Sequence, residues 1–107
     1  MTTTHTAVKL TVIAERLVQK DIEAILAAEQ VSGFSIFPGG GKGTHGIHHE
    51  DSAELVHEFS IIRLECLLIN QQKAERIGQM LADGCLTDYS GIVWLQPVEV
   101  FRAGKFR

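Results

Sequence analysis

From Phe59 to Leu68 the chain alternates with the period of a β-strand, and both phases are largely apolar. Ser60, Ile62, Leu64, Cys66 and Leu68 point one way, and Phe59, Ile61, Arg63, Glu65 and Leu67 the other. A strand of this kind has to be covered on two sides. The chain holds 107 residues, room for one domain with a real core and not for two. Whatever packs on the second side must therefore come from a small supply of elements.

Those elements can be read from periodicity. Val8, Leu10, Val12 and Ala14 alternate with Lys9 and Thr11, which predicts a strand over 8–14. Val18, Ile22, Ile25 and Leu26 then recur at helical spacing, with Lys20, Asp21 and Glu23 on the other side, so an amphipathic helix runs to Glu29 or Gln30. Ser32-Gly33 turns into a short strand, Phe34 to Phe37, which Pro38 and the glycines after it terminate. Asn70 is an N-cap for a second helix with Ala74, Ile77, Met80 and Leu81 on one face, ending at Gly84. Ile92 to Leu95 is a further strand that Pro97 interrupts, followed by a short edge strand from Val98 to Phe101, while Trp94 and Met80 read as core.

The order strand, helix, strand, strand, helix, strand is that of an α+β ferredoxin-like βαββαβ sandwich, with two helices on one face of an antiparallel sheet. The other face would carry Ile13, Phe59, Ile61, Leu67 and one apolar set of the fourth strand. A patch of that size is usually found at interfaces, which predicts a homo-oligomer.

Between the strands lies the chemistry. Residues 39–57 hold five of the ten glycines and four of the five histidines, the longest irregular segment of the chain and either a functional loop or a disordered one. It opens Gly39-Gly40-Gly41-Lys42-Gly43-Thr44, which joins bare backbone N–H groups to an ammonium and a hydroxyl, a composition suited to phosphate. It is not a Walker A loop, because Gly43 separates Lys42 from Thr44 and no helical pattern follows. His45, His48, His49 and His57 fit no closed metal set and read as solvated loop side chains, so no metal is expected. Arg63 and Glu65 share a strand face and are expected to pair across a subunit contact; Asp88 and Glu15 are isolated acids with no nucleophile and base beside them. Cys66 and Cys85 are too far apart for a CxxC pair and read as core residues.

Charge and hydropathy exclude other classes. Hydrophobic residues at 45% and charged residues at 21% are ordinary globular usage, against wholesale disorder. A net charge of -3 gives no reason to expect nucleic acid, so an anion site has to be local. No apolar run reaches bilayer length and the start Met1-Thr2-Thr3-Thr4-His5 lacks the form of a secretory signal, so the chain reads as cytoplasmic, without direct membrane insertion.

Over roughly residues 8–106 the sequence resembles the PII signal-transduction superfamily, most closely the PII-like branch associated with bicarbonate transporters and carboxysomes. Gly40-Gly41-Lys42-Gly43 stands at the base of that family's T-loop, Thr87-Asp88-Tyr89-Ser90-Gly91-Ile92 at its B-loop, and Val98-Glu99-Val100-Phe101-Arg102 where the chain approaches its C-loop. The resemblance implies a single PII-like domain over 1–107, with a flexible N-terminus at 1–7, the glycine loop and T-loop at 39–57 and a C-terminal tail at 102–107. It implies a homotrimer with nucleotide sites in the clefts between subunits. Gly39, Gly40, Gly41, Lys42, Gly43, Thr44, Asp88, Tyr89, Ser90, Gly91, Arg102 and Lys105 would then line the nucleotide site, the glycine loop, Ser90, Gly91, Arg102 and Lys105 supplying donors and cations for the phosphates, and Ile13 and Leu67 would pack on the adenine. The same branch implies bicarbonate near Lys42 and His45, and a partner in inorganic-carbon uptake or carboxysome function, such as a membrane bicarbonate transporter, met through residues 44–57.

The departures from the family pattern matter as well. The only tyrosine, Tyr89, lies outside the T-loop, which argues against uridylylation; Gly43 replaces a glutamine that serves 2-oxoglutarate; Gly91 replaces a B-loop lysine; Arg102 is the sole counterpart of two C-loop arginines. Fewer cations point to ADP or AMP rather than ATP. A non-enzymatic regulator is the first reading, with a slow nucleotide hydrolase at the same cleft, or a divalent-metal-binding trimer of the CutA kind, as alternatives.

Overall fold

The computed structural model describes residues 3–40 and 60–102. Within them the chain forms β1 (His5–Glu15), a 3-10 turn (Arg16–Val18), α1 (Gln19–Ala28), β2 (Ser35–Gly39), β3 (Ile61–Leu68), α2 (Gln71–Gly84) and β4 (Gly91–Val100). The four strands make one antiparallel sheet in the order β2-β3-β1-β4. This is the ferredoxin-like sandwich, and its core is one contiguous cluster. Val8, Leu10, Val12 and Ala14 of β1 and Ile62, Leu64, Cys66 and Leu68 of β3 pack beneath Ile22 and Leu26 of α1 and Ala74, Ile77 and Leu81 of α2.

The helices begin and end for identifiable reasons. Asn70 caps α2, its Oδ1 accepting from the Lys73 N–H at 2.8 Å. At the C-terminus of α1 the Val31 N–H donates to the Leu26 carbonyl and the Gln30 N–H to the Ala27 carbonyl, both at 3.0 Å, which is a Schellman closure. It needs a left-handed residue, and Gln30 supplies it at φ 60° where glycine is usual. Glu29, beside that turn, accepts from the Arg76 guanidinium at 2.8 and 3.1 Å and so ties α1 to α2.

Several expectations are corrected. Pro97 does not break β4, which pairs with β1 from Ala14↔Gly91 through Val8↔Pro97 to His5↔Val100 as a single strand. Pro38 likewise lies inside β2, opposite Ile62. Among the described residues both strands are sheet edges, where a proline can turn its missing donor outward without losing a ladder bond. The same long pairing draws His5 to Ala7 into β1 instead of a flexible N-terminus, and Ala7 is fully buried. α2 does end at Gly84 as expected, with Cys85 following at φ -109° and its N–H on the Leu81 carbonyl.

Trp94 and Met80 are half-buried and lie outside the core cluster. Trp94 pairs in register with Thr11, on the face away from the helices, and its indole N–H donates to Gln96 Oε1 at 2.9 Å. That face is mixed: Ile13, Ile61, Leu67 and Ile92 share it with Lys9, Arg63 and Glu65. Phe59 lies outside the described residues.

Candidate functional site

Two of the segments expected to meet phosphate come to the same end of the sheet. Gly39 closes β2 and is opposite Ile61 of β3, which is in turn opposite Glu15 at the end of β1, so the three form one row. Next to that row, on β4, Gly91 pairs with Ala14. The segments nevertheless sit at opposite edges. Three strand spacings of about 4.8 Å place β2 and β4 roughly 14 Å apart, too far for one phosphate group to touch both within a chain. Gly40 follows Gly39, whereas Gly41, Lys42, Gly43, Thr44, His45 and Lys105 lie outside the described residues, as do His48, His49 and His57.

The 87–91 turn is fastened by its own contacts. Thr87 Oγ1 donates to the Asp83 carbonyl, and the Ser90 N–H donates to Glu15 Oε2 at 2.8 Å. Gly91 is confined: a Cβ there would meet Leu86 Cδ2 at 2.8 Å and the Ile13 carbonyl oxygen at 2.9 Å. Its lack of a side chain is thus needed for β4 to close on β1. Asp88 and Tyr89 are exposed, as is Arg102 just beyond β4.

A cleft of about 270 Å³ opens at the start of β2, lined by Lys9, Gly33, Phe34, Ser35, Glu65, Cys66 and Leu67. It has an apolar wall in Phe34 and Leu67, a hydroxyl in Ser35 and a carboxylate in Glu65. That carboxylate is held by two cations of its own chain, Lys9 Nζ at 3.9 Å and Arg63 Nε at 3.5 Å, and Arg63 lies 4.7 Å over the Phe37 ring. Arg63 and Glu65, expected to pair at a subunit contact, are paired within the one chain. The geometry is local: the two side chains project from the same face of β3.

Leu67 lines this cleft and Ile13 does not. Leu67 is opposite Lys9, four residues along β1 from Ile13, a separation of roughly 13 Å. A single adenine cannot rest on both residues of one chain. Ser35 and Glu65 line the cleft without being singled out by the sequence as site residues. Their signal in the sequence was the charged alternation Arg63, Glu65 on an otherwise apolar strand face, legible only once Lys9 and Ser35 are known to flank it.

Both cysteines are held in the thiol form. Burial pushes the Cys66 thiol up to about 11, with Lys73 opposing, and burial followed by Asp21 raises Cys85. Both are free and buried and remain protonated near neutrality. Among the described residues no group of three or more His, Cys, Asp or Glu side chains is placed to hold a metal ion, and no helix is long and apolar enough to cross a membrane.

Comparison with known proteins agrees with this architecture. The family model for nitrogen regulatory protein P-II matches residues 7–105. The chain belongs to that family. A PII-like signalling protein of Thermus thermophilus has the same fold, with a TM-score of 0.76 and 27% identity over 100% of both chains. CPII of Thiomonas intermedia, solved with ADP and bicarbonate, superposes with a TM-score of 0.74 at 21% identity over 100% of both chains. The same protein solved with ADP, AMP and acetate gives 0.73 at 19% identity over 98% of each chain. The chain is a PII-like regulatory protein.

Proposed function

We propose that this PII-like protein binds an adenine nucleotide, ADP or AMP in preference to ATP, in clefts between the protomers of a homotrimer. The observation that carries the reading is the cleft on β2 and β3. Leu67 and Phe34 offer apolar surface for a base, Ser35 and Glu65 offer acceptors for its exocyclic amine, and β2 leads from there to Gly39 and Gly40. Among the described residues the two ends of the assigned phosphate set, Gly39 and Gly91, lie on opposite edges of the sheet, an arrangement that a neighbouring protomer would complete. Ile13, too far from Leu67 within a chain, would reach the ring of a nucleotide held by its neighbour. Lys42, Thr44, Arg102 and Lys105 are the cations and donors assigned to the phosphates, with Gly41, Gly43, Asp88 and Tyr89 beside them. The Thiomonas protein, solved with ADP and bicarbonate, supports bicarbonate as a second ligand, assigned to Lys42 and His45.

Regulation follows from differential affinity: a ligand that binds one state of residues 44–57 better than another shifts their population, and a partner reads the difference. The partner assigned is cytoplasmic-side machinery of inorganic-carbon supply, a membrane bicarbonate transporter or a carboxysome-related protein. Calorimetry with AMP, ADP and ATP, each with and without bicarbonate, tests the ligand set, and sedimentation tests the trimer. ADP and AMP should bind more tightly than ATP, and Leu67→Arg should abolish binding. Absence of binding by all three nucleotides, or a monomer at micromolar concentration, would refute the reading.

A further inference from the structure

We infer that Glu15 is a specificity residue that limits how many phosphates the nucleotide site accepts. Glu15 ends β1 in extended backbone, φ -68° and ψ 143°, immediately before the chain turns into the 3-10 segment. Its carboxylate therefore stands at the sheet end that also carries Gly39 and the 87–91 turn. There it is half-buried, with Oε2 accepting from the Ser90 N–H at 2.8 Å. A phosphate oxygen and a carboxylate oxygen are interchangeable acceptors for a backbone N–H. A phosphate that reaches Ser90 must displace Glu15, and one that stops short must lie beside a like charge. Both are opposed electrostatically, and the opposition grows with every phosphate because each adds negative charge.

The inference rests on the nucleotide reading above and deepens it. The shortage of cations in the sequence weakens attraction for ATP; Glu15 adds a repulsion of its own. Because its bond to Ser90 also holds the turn in place, the same carboxylate organises the turn and screens what the turn can bind.

Glu15→Gln separates these roles, keeping an oxygen acceptor for the Ser90 N–H while removing the charge. Calorimetry at one ionic strength, on wild type and variant, with adenosine, AMP, ADP and ATP, gives the readout. Adenosine should be unaffected and the triphosphate should tighten most, on the order of fivefold for one removed like charge at partly screened distance. Glu15→Asp, which keeps the charge on a shorter arm, should retain the wild-type order of affinities. An equal change for all four ligands, no change for any phosphate-bearing one, or Glu15→Asp behaving as Glu15→Gln would overturn the assignment while leaving the nucleotide reading intact. Failure of the wild type to bind any of the four would remove both.

Discussion

Gly91→Ala is the most direct probe of how the 87–91 turn is held. The added methyl would stand 2.8 Å from Leu86 Cδ2, 2.9 Å from the Ile13 carbonyl oxygen and 3.4 Å from Ala14 Cα. Leu86 can change rotamer, but the Ile13 carbonyl and Ala14 Cα are backbone of the central strand β1, paired on its other side with β3. Relief requires β4 to move off β1 at the position where the two ladders start. Overpacking of this type costs about 1–3 kcal/mol. For a domain near this size, 1 kcal/mol corresponds to roughly 4–8 °C, so the variant should melt about 4–24 °C below wild type. Thermal unfolding followed by circular dichroism at one protein concentration measures it. Gly78→Ala is the matched control, because nothing lies within 4 Å of its added Cβ and the residue is inside α2. It should stabilise by about 0.5–1 kcal/mol through helix propensity. If Gly91→Ala melted within about 2 °C of wild type, steric confinement at Gly91 would be wrong.

Gln30→Gly should also stabilise, since Gln30 is held at φ 60° and the left-handed conformation costs a non-glycine residue roughly 1–2 kcal/mol. After the greater chain entropy of glycine is set against that, a gain of about 0.5–1 kcal/mol should appear in urea unfolding; a loss would mean that the Gln30 side chain has contacts that outweigh its strain. Cys66 gives a pH prediction. Its folded pKa lies near 11, above the ordinary 9.0, so the folded state holds the proton more tightly. That contribution to stability is complete below about 9 and is lost as pH rises toward 11. Urea midpoints at pH 8 and pH 10.5 should fall further for wild type than for Cys66→Ala, and parallel falls would refute it.

Much of the fold was legible because its signals are local. The alternation of Ile62 to Leu68 and of Val8 to Ala14 picks out the buried faces directly, and Asn70 marks a cap within four residues of the N–H it serves. What escaped depends on distant partners. Pro97 reads as a strand breaker until β4 is known to be an edge, and Trp94 reads as core until its register with Thr11 puts it on the far face. Glu15 and Ser90 are 75 residues apart, so no spacing rule links them. The candidate site follows the same division. Glycines and hydroxyls identify a phosphate-binding composition, but the register of β1 against β3 decides that Ile13 and Leu67 cannot share one ring within a chain.

The prolines in β2 and β4 bear on how copies of this molecule meet. Each outermost strand lacks one backbone donor, at Pro38 on one margin and Pro97 on the other. A further strand zipping onto either rim would find an interrupted row of hydrogen bonds, which disfavours open-ended fibrous growth. The proposed trimer would then close through the broad side of the sheet and not through these rims.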